Sequence, residues 1–224
     1  MYFAKAAIYR KKKLSIIYVK GVKLNFVSSF IMEAEEPIVS YSQLNPEGSY
    51  TYWDYLKWQF TDRVELIRGK IFKMSPAPGA EHQGVNINLS RLVLNVFWDR
   101  SCKVYAAPFD VRLPIPKAGK DTTVVQPDLC IICDLNKIAD KRACNGAPDL
   151  VVEILSPGNS KHEIKTKFEL YEESGVKEYW IVYPSERSVI IYKSDNGKIY
   201  RVAAVFRRDD HRKPPVCGFK NRSG

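Results

Sequence analysis

Two runs constrain this chain more than any other feature: Val124–Cys133 (VVQPDLCIIC) and Asp149–Leu155 (DLVVEIL). Both are almost continuously apolar, yet Asp128 lies inside the first and Glu153 inside the second. A strand exposed on one face alternates apolar and polar residues. A strand without that alternation is covered on both faces, as at the centre of a mixed α/β sheet. The chain is long enough, at 224 residues, to build a substantial core around such a sheet.

The flanking segments supply the other layers. Tyr52–Gln59 predicts a short aromatic helix with Thr51 as its N-cap. Arg63–Ile67 and Lys70–Met74, on either side of Arg68-Gly69, predict a hairpin near the start. From Glu81 to about Asp99, apolar residues at 85, 89, 92, 93, 96 and 97 follow helical spacing. Lys103–Ala107 and Phe109–Leu113 predict strands. Glu163–Ser174 predicts a helix stopped at Gly175. Glu178–Tyr183, Ser188–Lys193 and Lys198–Phe206 predict three closing strands. The expected fold class is α/β: a central mixed sheet flanked by helices, with an additional β-hairpin near the start.

The net charge of +10 suggests a nucleic-acid partner, but its placement weakens that inference. Residues 1–31 carry seven Lys or Arg and no acid, and residues 207–224 have a net charge of +4. Taking both ends from +10 leaves −1 for residues 32–206. The expected organisation is a basic then polar extension over 1–44, a globular domain over 45–206 and an irregular tail over 207–224. The basic start has no clear small-residue cleavage site, so it reads as a translated upstream stretch with Met32 as the start, not as a signal peptide. No run approaches the roughly 20 apolar residues of a membrane helix, so no membrane partner is expected. Five cysteines, an odd number, point to reduced thiols and a cytoplasmic setting. Cys130 and Cys133 have zinc-site spacing, but alternation along a strand sends them to opposite sides, so they read as structural thiols.

An isolated carboxylate within a buried strand is costly, so Asp128 and Glu153 must lie at a strand end, pair, or bind a metal. From the strands alone, caps to loop amides or lysine partners explain them as well as Mg²⁺ does. Asp149 lies four strand steps from Glu153, roughly 13 Å. That is too far to share one cation with it. Asp128 is the better partner. In the helix that follows, Ile164, Phe168 and Tyr171 form the stripe that packs on the sheet. Lys167 lies on the same side and needs an anion nearby, unless it snorkels.

Taken in order, Gln126-Pro-Asp128-Leu, Asp149-Leu-Val-Val-Glu153-Ile-Leu-Ser-Pro157, Lys167-Phe-Glu-Leu-Tyr171 and Gly175-Val-Lys-Glu-Tyr-Trp180-Ile-Val resemble one family. It is the Uma-type restriction endonuclease family, within the PD-(D/E)xK nuclease superfamily. Val64-Glu65-Leu-Ile-Arg-Gly69 and Ser75-Pro…Glu81-His82 also match its pattern, and the resemblance covers roughly residues 50–206. It implies a restriction-endonuclease-like fold and a Mg²⁺- or Mn²⁺-dependent site that hydrolyses DNA phosphodiester bonds. Asp128 and Glu153 match the metal ligands. Leu155 stands where the superfamily has its lysine, and Lys167, moved onto the next helix, is the natural replacement. Glu65 and His82 match recurrent positions and join the candidate catalytic set, whereas Asp149 reads as a structural cap or a residue just outside the site. The nearly neutral domain implies that a homodimer or the basic ends assist phosphate binding. The alternative is a non-catalytic module that keeps the fold and binds nucleic acid or protein. Residues 209–224 depart from the family's usual apolar ending, which suggests truncation or a changed reading frame.

Overall fold

The computed structural model describes residues 37–206 apart from 75–77, 117 and 120, and the backbone of two short strands nearer the start. These are β1 (Ile16–Val19) and β2 (Val22–Asn25), which pair antiparallel. The chain divides into two units, residues 1–36 and 37–224. The expectations for the C-terminal tail lie outside the described residues, as do most of those for the basic start.

In the larger unit, Thr51 caps α1 (Tyr52–Tyr55) through a reciprocal capping box with Asp54. The helix is shorter than its aromatic run suggested, because the Gln59 N–H donates to the Ile38 carbonyl instead of continuing the helical ladder. The chain then forms the expected hairpin, β3 (Val64–Ile67) and β4 (Lys70–Lys73). Arg68 (φ 50°) and Gly69 (φ 80°) both take the left-handed conformation that a two-residue hairpin turn requires.

Next come α2 (Ala80–Phe97), β5 (Lys103–Ala106), β6 (Val111–Arg112), β7 (Val124–Val125), β8 (Leu129–Ile132), β9 (Cys144–Asn145) and β10 (Leu150–Ile154). The helix α3 (Lys161–Ser174) leads to β11 (Glu178–Tyr183), β12 (Ser188–Asp195) and β13 (Lys198–Phe206). Ser160 caps α3 by accepting from the Glu163 N–H, and Gly175, at φ 84°, terminates it. Along this helix α3 connects β10 to β11, the parallel pair of the main sheet, as a parallel crossover requires.

Two mixed sheets result. The larger has the order β13-β12-β11-β10-β8-β5; the smaller has the order β4-β3-β7-β6-β9. The hairpin is therefore the edge of a second five-stranded sheet and not an appendage to the first. The run Val124–Cys133 is also two strands and not one. It breaks at Gln126-Pro127-Asp128, with β7 in the smaller sheet and β8 in the larger. Proline cannot donate to a ladder, so the break falls where pairing must change partner.

Both faces of the larger sheet are covered, which accounts for its apolar strands. On one face Cys130, Val151, Tyr179 and Ile181 pack with Leu170 and Tyr171 of α3. On the other, Leu129, Val152 and Ile154 pack with Val85 and Leu89 of α2. Each such side chain contributes roughly 1.5–3 kcal/mol on burial. Along α2 the 85–89–93 row turns inward with His82 before it, and Leu92 and Val96 remain exposed despite their helical spacing.

The expectation of five reduced thiols is corrected. Cys102 and Cys133 form a disulfide, while Cys130 and Cys144 are free and buried. The register pairs Lys103 with Ile132, and one step further brings Cys102 and Cys133 together across β5 and β8. Burial raises both free thiols, that of Cys144 up to about 12. Both are inert apolar fillers.

Candidate functional site

The antiparallel register of β8 and β10 pairs Cys130 with Val151 and Leu129 with Val152. One step further sets Asp128 opposite Glu153. Because side chains alternate along a strand, both acids project from the face on which Cys130 and Val151 meet α3. Asp128 Oδ2 accepts the Ile154 N–H at 2.7 Å, tying the start of β8 to the end of β10.

From α3, Lys167 reaches the same point. Its Nζ lies 2.5 Å from Glu65 Oε1 and 3.2 Å from Glu153 Oε1, and the residue is only 8% exposed. Glu65 arrives from β3 of the smaller sheet and also accepts the Gln126 N–H at 2.8 Å. His82, in the first turn of α2, places Nε2 3.3 Å from Asp128 Oδ2. Its buried Nδ1 has no hydrogen-bond partner among the described residues. All five predicted site residues, Asp128, Glu153, Lys167, Glu65 and His82, thus line one open pocket of about 340 Å³. Arg63, Lys73 and His162 add basic groups to its lining.

The electrostatics follow from burial and these partners. Desolvation pushes the Glu153 carboxyl up to about 7; Lys167 opposes the shift, while the charges of Asp128 and Glu65 add to it. Burial also raises Asp128, against the pull of the Ile154 N–H and His82. Burial alone would lower the Lys167 ammonium, but the Glu153 and Glu65 carboxylates outweigh it and hold the lysine charged.

Tyr171 is the member of this cluster that sequence reasoning assigned only to packing. Its hydroxyl donates to Glu153 Oε1 at 2.5 Å from full burial, and burial raises its own pKa. The available signal was its position four residues after Lys167, one helical turn along the same face. Gln126 also belongs to the cluster, without a local signal in the sequence. Besides its bond to Glu65, its side-chain amide donates to Asp110 Oδ1 at 2.8 Å and to the Tyr55 hydroxyl at 3.2 Å. Asp149 lies outside the cluster, where it accepts the Cys133 N–H at 2.7 Å and the Lys177 ammonium at 2.6 Å.

Among the described residues, no three His, Cys, Asp or Glu side chains converge as a metal-ligand set. The donors available are the Asp128 and Glu153 carboxylates. Asp128 Oδ1 and Glu153 Oε2 have no hydrogen bond among the described residues, while their sister oxygens are held by protein donors. Mg²⁺ is held by one or two carboxylates completed by water and phosphate oxygens, so the residues present fit such an ion.

The same fold occurs in a crystal structure described as that of a putative nuclease belonging to DUF820 from Anabaena variabilis. The TM-score is 0.56 at 20% identity, covering 75% of this chain and 90% of that one. Residues 53–219 match the family model Uma2, described as "Putative restriction endonuclease", and the chain belongs to that family. It is also 27% identical over 172 residues to an uncharacterized protein of Synechocystis sp., covering 74% of this chain and 83% of the relative. Among the described residues, no helix is long and apolar enough to cross a membrane.

Proposed function

We propose that the protein is a metal-dependent DNA endonuclease that hydrolyses phosphodiester bonds in the pocket above Asp128 and Glu153. The observation that carries this reading is the convergence of these opposed carboxylates with the buried Lys167–Glu65 pair in an open pocket whose lining also holds Arg63 and Lys73. Its support is chemical. Asp128 and Glu153 would hold Mg²⁺ or Mn²⁺ through their free oxygens. Bound there, the cation would supply Lewis-acid polarisation of the phosphate and would lower the pKa of an attacking water.

The remaining work falls to the chain's own residues. Lys167, held charged by two acids, is aimed at the site from α3 and takes the place of the lysine that Leu155 cannot supply. It orients the nucleophilic water and offsets charge on the phosphate oxygens as the phosphorus–oxygen bond to the leaving group breaks. Glu65 fixes Lys167, Tyr171 orients Glu153, and His82 steadies Asp128. Arg63, Lys73 and His162 supply phosphate contacts at the pocket lining, and such binding weakens steeply with salt. With so little net charge in the domain, a homodimer or the basic ends would extend the DNA-binding surface.

The test is nicking of supercoiled plasmid by the full chain in Mg²⁺ or Mn²⁺, beside Glu153→Ala. Metal-dependent nicking by the first alone is the expected result. DNA binding by folded protein without cleavage would establish the non-catalytic module instead.

A further inference from the structure

A second cleft lies beside the edge strand β5. Its floor holds the rings of Tyr105 and Phe109, stacked nearly parallel with centroids 4.1 Å apart and planes 10° from each other. Leu135 and Ile138, on a 3₁₀ turn over Leu135–Ile138, form an apolar wall. Lys103 and Lys141 complete the lining, and no acid belongs to it. Neither lysine is in an ion pair among the described residues, and both are exposed. The cavity measures about 400 Å³, the size of a small-ligand site.

These features specify a ligand. Aromatic rings that line a cleft offer a stacking surface to a further planar ring, and the apolar side chains beside them exclude water from it. Two ammonium groups at the edge, neither in an ion pair among the described residues, complement negative charge on the same molecule. A nucleotide has both parts: a flat base and a phosphate. The cleft also stands in a defined relation to the candidate metal site. Tyr105 is two residues from Ala107, whose N–H donates to the Asp128 carbonyl at 3.1 Å.

We propose that this cleft binds an unpaired base of the nucleic-acid strand, with Tyr105 stacking on the base and Lys103 and Lys141 on its phosphates. The assignment rests on the nuclease reading, and it would make the enzyme prefer single-stranded or locally opened substrate. Base–aromatic stacking tolerates any base, so the cleft adds affinity and strand preference without reading sequence.

The test uses the full chain in EDTA, where binding is read without cleavage, by fluorescence anisotropy of a labelled dT₁₂ strand and of a matching strand of abasic units. Wild type should bind dT₁₂ more tightly than the abasic strand. Tyr105→Leu should remove that difference, weakening dT₁₂ binding by roughly 5- to 100-fold. The exposed pair Lys103→Glu/Lys141→Glu, which leaves the packing untouched, should weaken both strands and flatten the dependence on salt. Equal affinity of wild type for both strands, or unchanged binding by the lysine pair, would overturn the proposal. Plasmid nicking by wild type in Mg²⁺ is scored separately. Nicking without base-dependent binding defeats the cleft alone, whereas base-dependent binding without nicking defeats the cleavage reading alone.

Discussion

Lys167 Nζ lies 2.5 Å from Glu65 Oε1, although the two residues are 102 positions apart in the chain. One comes from α3, packed on the larger sheet, and the other from β3 of the smaller sheet. Their pairing joins the two sheets at the pocket floor. Because both groups are buried, the pair is worth less as net attraction than as mutual neutralisation of charges that would otherwise be stranded.

Removing the lysine is accordingly the severe change. Lys167→Ala leaves Glu65 and Glu153 facing each other without a cation and should cost about 3–5 kcal/mol in urea unfolding. Glu65→Gln should cost less, because Lys167 keeps Glu153 as a partner 3.2 Å away. Equal losses in the two variants would contradict this ordering.

The Glu153 carboxyl, raised from its ordinary 4.5 to about 7, gives a signed pH effect. Below about pH 4.5 both folded and unfolded states hold the proton, and burial of the neutral acid carries no ionisation penalty. As pH rises towards 7 the unfolded chain ionises first, so this contribution to stability is lost through that window, on the order of 3 kcal/mol. Glu153→Gln lacks the effect. The stability of wild type minus that of Glu153→Gln should fall between pH 4.5 and 7 and then level off. A flat difference curve would contradict the buried-carboxyl account.

Asp128 and Asp149 each follow a proline, yet their substitutions should separate cleanly. Asp128→Asn keeps an oxygen for the Ile154 N–H, so the fold should persist while Mn²⁺ affinity, read by calorimetry, drops at least ~10-fold. Asp149→Ala removes the acceptor of the Cys133 N–H and frees Lys177; both lie at the exposed end of β8, so the loss should be about 0.5–1.5 kcal/mol. Its Mn²⁺ affinity should match that of wild type at a temperature where both are folded.

Tyr171→Phe removes one oxygen from a buried position and with it the donor to Glu153 Oε1. That hydrogen bond lowers the Glu153 pKa, so its loss should raise it further. The pH profile of nicking should move to the alkaline side, with an unfolding cost of about 1.5–3 kcal/mol for a bond to a charged acceptor. An unmoved profile would leave Tyr171 a packing residue only.

Much of this architecture is legible in local pattern. The hairpin at Arg68-Gly69, the Thr51 cap and the stripe of Ile164, Phe168 and Tyr171 each depend on neighbours a few residues apart. So does the choice of Asp128 over Asp149 as the partner of Glu153, since strand geometry alone puts Asp149 out of range. Asp128, Glu153, Lys167, Glu65 and His82 were all nominated from the chain, the last two by resemblance. Other features are invisible there because distant segments decide them. Both halves of Val124–Cys133 are buried, so apolarity could not reveal that β7 and β8 belong to different sheets. The Cys102–Cys133 bond depends on the β5–β8 register, and Leu92 and Val96 stay exposed because the sheet receives only one row of α2. Local pattern in the sequence thus determined most of the strands and helices, and residue chemistry together with family resemblance marked which side chains suit the site. Only the tertiary structure decided which carboxylates share Lys167, because a buried charge takes its partner from whatever packing brings within reach.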